Sequence, residues 1–170
     1  LHTAYRRQRQ MCIRDSFHDG NLLPGDTFRC GEAGHMTLIP DGKPCYCGKT
    51  GCVDAYCSAR LLSDLSGGRL EDFFLGLQQN NPDYRSVWDT YLKHLAVVIN
   101  NLHMLLDYDI VLGGYVGSFL TPWLDTIRHL VAERNTFEDD GSFVKLCTYQ
   151  TGAAAYGAAM DVMEEFLRTV

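Results

Sequence analysis

No apolar run in this chain approaches the ~20 residues that a membrane-crossing helix needs. Nor does an apolar stretch follow the basic, polar N-terminus, as a secretory signal would require. The expectation is a cytoplasmic chain with no membrane partner. No internal repeat and no low-complexity segment is present, which argues against a stacked-repeat architecture or a disordered linker. Positive charge is scarce after residue 16: residues 17–170 hold 11 basic and 20 acidic groups, a net −9. An acidic body repels nucleic acid phosphates. Complete disulfide pairing is excluded by number, since the seven cysteines are odd.

The first 16 residues depart from the rest. They carry four arginines (Arg6, Arg7, Arg9, Arg14) against one acid, Asp15, a net +3. Two readings compete: a nucleic-acid-binding arm, or non-native sequence joined to the gene end. The second is favoured, because the stretch has no apolar periodicity and does not begin with Met. The expected domain organisation is an artefactual 1–16 followed by one domain over 17–170, a length that supports a real core.

What is present is most informative between residues 32 and 52. Glu32-Ala33-Gly34-His35 is followed, after nine intervening residues, by Cys45-Tyr46-Cys47-Gly48-Lys49-Thr50-Gly51-Cys52. Three thiolates and an imidazole at this spacing suit a tetrahedral zinc site, and Gly48 and Gly51 supply the backbone freedom a knuckle needs. The alternative is a disulfide cluster in a secreted domain. Cys45 and Cys47 are poorly placed to bridge to each other, and the rest of the chain is core-forming. Zinc held by His35, Cys45, Cys47 and Cys52 is the expectation. Cys30, Cys57 and Cys147 then remain as reduced thiols, and Cys12 falls in the anomalous head.

Apolar spacing predicts the elements. Residues 17–27 suggest loop and strand edge, and 28–40 suggest short strands ending in Met36–Ile39. Asp41-Gly42 is a hairpin-turn dipeptide. A helix is expected from Val53 to Leu65, closed by Ser66-Gly67-Gly68, and a short one over 70–79. The clearest helix begins near Asp83, where Trp88, Leu92, Leu95, Ile99 and Leu102 form one buried stripe. A strand at 109–112 runs into Gly113-Gly114 and a loop. A helix from about Pro122 to Arg134, a strand at 143–147 and a last helix over 151–167 follow. In that last helix Tyr156, Met160, Met163 and Leu167 mark a packing face. The strand–helix–strand–helix tail implies a parallel crossover, hence an α/β domain.

Gly31-Glu32-Ala33-Gly34-His35, Cys45-x-Cys47-Gly-x-x-Gly-Cys52, Leu112-Gly113-Gly114 and the Gly157-Ala158-Ala159 helix together resemble the ROK family. Its members are bacterial sugar kinases and sugar-responsive transcriptional repressors. The resemblance runs from about residue 17 to the C-terminus. It implies an α/β, actin/hexokinase-like (ribonuclease H-like) ATPase lobe with an inserted zinc knuckle, and an N-terminal lobe largely missing. It also implies that Glu32 and His35 touch sugar hydroxyls, and that Gly113 and Gly114 pass the nucleotide. A carboxylate can accept two sugar O–H bonds, and a metal-bound imidazole keeps one nitrogen to donate. Without the resemblance, Glu32 is equally a surface carboxylate, and the glycine pair a turn needing positive φ. One departure is Asp54, where the family usually has Glu. Another is that residues 1–16 offer neither a phosphate loop nor the catalytic Asp.

Three functions are carried forward. The first is the sugar-binding half of a ROK transcriptional regulator, contacting DNA only through a missing N-terminal domain. The second is part of a ROK sugar kinase, using ATP and Mg on a hexose or N-acetyl amino sugar. The third is a zinc-stabilised interaction module without a sugar site. A homodimer is expected from the resemblance. A zinc hydrolase is disfavoured, since four ligands leave no open position for water.

Overall fold

A computed structural model describes residues 17–18, 21–22, 26–27, 31–149 and 152–167. The basic head, Cys30 and the first part (28–30) of the stretch 28–40, where short strands were expected, lie outside the described residues. The described residues begin with a small antiparallel pair, β1 (Phe17–His18) and β2 (Asn21–Leu22), in the register Phe17↔Leu22.

The metal-loop region is irregular. Instead of the expected strand ending at Ile39, a 3-10 turn spans Ala33–His35. Beyond it, only isolated bridges tie Thr37 to Cys52 and Pro44 to Thr50. The reason is local: Gly31 and Asp41 adopt positive φ and fold the segment back on itself.

The helix expected from Val53 to Leu65 is broken. It comprises α1 (Asp54–Cys57), α2 (Ala59–Ser63) and a 3-10 turn at Asp64–Ser66. Ser58 is extended, and its hydroxyl accepts the Leu61 N–H. A serine that caps a new helix ends the old one. Helix α3 (Leu70–Gln78) precedes the 25-residue α4 (Pro82–Leu106). Asn81 caps α4, its side chain accepting from the N–H groups of Asp83 and Tyr84. Pro82 then occupies the first turn, where its missing N–H costs nothing.

The buried stripe on α4 is as expected. Trp88, Leu92 and Ile99 are fully buried, with Leu95 and Leu102 partly buried beside them. Trp88 packs among the rings of Phe73, Phe74, Tyr91 and Trp123. Against α4, β3 (Ile110–Leu112) and β4 (Val144–Leu146) pair in parallel. Their crossover carries α5 (Gly114–Gly117) and α6 (Leu124–Ala132), which confirms the α/β reading. The short α5 stands where a loop was expected.

The last helix, α7, spans Ala153–Leu167. Its expected packing face is not covered: Tyr156, Met160, Met163 and Leu167 are all exposed. Apolar spacing marks what a helix can bury and does not supply the partner.

One core-edge residue makes stability depend on pH. His94 on α4 meets the Tyr56 ring edge-on at 5.0 Å. Burial, then the Lys43 ammonium, hold its imidazole below the ordinary range. On acidification the unfolded chain therefore takes up this proton first, at about pH 6.5. Stability should fall as pH drops below that value, until the folded histidine titrates too. His94→Gln is expected to flatten this part of the pH–stability curve, read as urea midpoints. An unchanged slope would refute the assignment.

Candidate metal and ligand site

The four expected ligands converge. The ligating atoms of His35, Cys45, Cys47 and Cys52 lie within 4.8 Å of one another. The Cys47 and Cys52 sulfurs are 3.7 Å apart, and His35 Nδ1 is 4.0 Å from Cys45 Sγ. All three cysteines are free thiols. Around zinc, with Zn–S near 2.3 Å, a tetrahedron places sulfurs about 3.8 Å apart. The donor set and its spacing therefore fit such an ion, and this His/Cys group could hold a metal.

Backbone hydrogen bonds build the cradle. Leu38 N–H and Ile39 N–H both donate to the Gly51 carbonyl, and Gly51 N–H donates to Lys43 O. Cys45 N–H donates to Lys49 O, and Gly48 N–H donates to Cys45 O, which closes the turn between the first two thiols. Val53 N–H donates to Met36 O, so the His35 segment runs beside Cys52. Tyr56 anchors the loop from beneath: its hydroxyl accepts the Lys43 N–H at 2.6 Å. Glycine at 42 permits this, since a Cβ there would sit 2.1 Å from the Tyr56 oxygen.

The thiols are not equivalent. A backbone hydrogen bond at Lys49, first among several contacts, holds the Cys47 thiol below its usual range. Burial pushes the Cys52 thiol up to about 11, helped by the neighbouring sulfurs.

Glu32 caps the 3-10 turn that carries His35, and both side chains are exposed. The Glu32 side chain makes no capping bond. Beside them, Tyr46 donates to Asp54 Oδ2 at 3.0 Å, and its oxygen lies 3.4 Å from His35 Nε2. Partial burial of the hydroxyl, then its bond to Asp54, push Tyr46 up to about 12, and the Glu32 charge acts in the same direction. Most of the Tyr46 ring is in solvent, so the Asp54 bond is the firmer cause. Glu32, His35, Tyr46 and Asp54 thus share one surface. Sequence reasoning noted Asp54 only as a shortened carboxylate and passed over Tyr46. The available signal was an aromatic residue inside Cys-x-Cys.

Gly113 and Gly114 occupy a separate position, at the C-terminal end of β3, where they open α5. A Cβ on Gly113 would lie 3.0 Å from Cys147 Cβ. Gly114 has φ +71° and open space around its Cα.

Comparison with known proteins now places the chain. The model of the ROK family matches residues 17–165, and the chain belongs to that family. An N-acetylmannosamine kinase of Escherichia coli is 31% identical over 87% of this chain and 52% of its own length. The chain thus spans about half the length of the curated relatives it matches. The fold is that of solved ROK proteins. A ROK family glucokinase from Streptomyces griseus, in complex with glucose and AMPPNP, superposes with a TM-score of 0.70 at 21% identity, covering 85% of this chain and 55% of that one. A ROK family transcriptional regulator, a homologue of the Escherichia coli MLC protein, superposes with a TM-score of 0.60 at 23% identity, covering 75% and 36%.

Proposed function

We propose that this chain is the sugar-binding, zinc-stabilised half of a ROK protein that takes a hexose or N-acetyl amino sugar. The observation that carries the reading is the placement of Glu32 and His35 on one exposed turn, with His35 also among the three thiols. In this reading His35, Cys45, Cys47 and Cys52 hold a structural zinc. The ion cross-links the loop and supplies no reaction step, because its four positions are filled. Glu32 accepts sugar O–H bonds as a carboxylate, and His35 contacts the sugar from the same turn. Gly113 and Gly114 let backbone approach a nucleotide, if the whole protein is a kinase.

Kinase is the first reading for the whole protein, because relatives matching most of this chain are N-acetylmannosamine kinases and a glucokinase. It needs a catalytic base and a phosphate-binding loop beyond the residues proposed here, with Mg-ATP as donor. The regulator expected from the sequence is the second reading, favoured by the likeness to a ROK transcriptional regulator. The free thiols of Cys45, Cys47, Cys52 and Cys147 support a reducing, cytoplasmic setting.

The test is titration of the whole chain with N-acetylmannosamine and with glucose, followed by NMR or calorimetry, for the parent and Glu32→Gln. Losing a charge-assisted hydrogen bond worth about 1.5–3 kcal/mol should weaken binding by roughly 10- to 100-fold. Zinc content should stay the same. Equal sugar affinity in both proteins would remove Glu32 from the site. No binding by either would favour the interaction module without a sugar site.

A further inference from the structure

His35 is exposed, so packing does not fix its ring. Rotation about its terminal side-chain torsion is soft and roughly two-fold. A half-turn would present a ring carbon to the thiols where Nδ1 now stands, 4.0 Å from Cys45 Sγ. Something must select the ligating orientation, and the neighbour that touches the far side of the ring is Tyr46. Its oxygen is 3.4 Å from His35 Nε2, and the two rings meet edge to face at 5.3 Å.

We propose that Tyr46 is a positioning residue for the metal loop: its hydroxyl links His35 Nε2 to the Asp54 carboxylate and keeps Nδ1 turned toward the thiols. This rests on the reading that the loop holds a metal. Proton placement supports it. A lone pair on Nδ1 directed at a cation requires the proton on Nε2. In the sugar-free chain that N–H donates to the Tyr46 oxygen, whose place a bound sugar hydroxyl would take. The Tyr46 O–H then donates to Asp54 Oδ2, 3.0 Å away. The chain of bonds has one consistent direction, and it selects the metal-binding tautomer. In metal sites generally, a histidine ligand is oriented by an acceptor on its other nitrogen. Here the acceptor is a phenol that relays to a carboxylate.

The same bonds join the three segments that carry ligands. Tyr46 sits in the turn between Cys45 and Cys47, and His35 ends the 3-10 turn. Asp54 opens α1 directly after Cys52 and Val53. One side chain therefore clips all three segments together from outside. The short Asp54 also fits, because the phenol extends the carboxylate's reach to the imidazole.

The experiment measures zinc affinity of the whole chain by competition with a chromophoric chelator, in the parent and in Tyr46→Phe. Phenylalanine keeps the ring and its edge contact and removes only the hydroxyl. The expected result is at least about tenfold weaker zinc binding. Asp54→Asn, which still offers a carbonyl oxygen, should fall between the two. Long-range ¹H–¹⁵N spectra of the zinc-loaded parent should show His35 protonated at Nε2, with the tautomer less uniform in Tyr46→Phe. Equal affinity and an unchanged His35 spectrum in Tyr46→Phe would overturn the role of Tyr46 while leaving the metal site standing. A parent that takes no zinc from the chelator would overturn the metal reading, and this proposal with it.

Discussion

Gly51→Ala is expected to disrupt the metal loop, while Gly48→Ala leaves it largely intact. Both glycines sit in the left-handed region, Gly51 at φ +79° and Gly48 at φ +86°. That conformation alone costs a residue with a side chain about 1–2 kcal/mol. The surroundings separate them. A Cβ on Gly51 would lie 1.9 Å from the Ile39 carbonyl oxygen and 2.9 Å from its carbon, whereas a Cβ on Gly48 meets nothing within 4 Å. The obstacle at Gly51 is backbone, which cannot swing aside as a side chain can.

Relief at Gly51 requires Ile39 or Gly51 to move, and either motion is costly. Gly51 accepts from two N–H groups and donates to Lys43 O, and the next residue is Cys52, one of the four clustered side chains. Gly51→Ala should thus lose several hydrogen bonds and displace one thiol together. Urea unfolding should show a loss well above that of Gly48→Ala, which is expected near 1 kcal/mol. Zinc titration should show weakened binding only for Gly51→Ala. Similar behaviour of the two variants would mean that the close approach to Ile39 does not hold in solution.

The contrast between these glycines also shows what was legible in the sequence. The Cys-x-Cys-Gly-x-x-Gly-Cys spacing announced that the three thiols gather, because residue type and separation are written directly in the chain. It did not tell Gly51, wedged against a carbonyl, from Gly48 in open space, since that difference depends on residue 39 folding back over the loop. Helix α4 was legible because its apolar residues repeat at the helical period and Asn81-Pro82 marks its start. The break at Ser58 was not, because a serine inside an apolar pattern reads as helix until its hydroxyl is seen to cap the Leu61 N–H. Met36–Ile39 looked like strand from composition. The positive φ of Gly31 and Asp41, which composition does not reveal, turns the segment into turns and bridges. The roles proposed for Glu32 and His35 came from resemblance. That of Tyr46 did not, because its meaning lies in two contacts reaching 11 residues back and eight forward.

Trp88→Ala should give a second large loss, of a different kind. Trp88 is fully buried in the N-terminal half of α4. Its ring stacks on Tyr91 with centroids 5.1 Å apart, and meets Phe74 at 5.1 Å and Trp123 at 5.6 Å near edge-on. These neighbours come from α3, α4 itself and the turn before α6, so truncation opens a cavity shared by three segments. Large-to-small changes of this type cost about 3–5 kcal/mol. Trp88 Nε1 has no hydrogen-bond partner among the described residues, so the loss reflects packing, and Trp88→Phe should recover much of it. The metal loop is tied to this core at a distance: Tyr91, beside Trp88, donates to the Cys57 carbonyl at 3.0 Å, and Cys57 ends α1. Loosening α4 should therefore lower global stability while the four ligands, gathered by their own short loop, still take up one zinc. Urea midpoints and zinc stoichiometry measured on one preparation separate the two effects. Loss of zinc binding in a folded Trp88→Ala protein would mean that the core, and not the loop's own hydrogen bonds, holds the ligands in place.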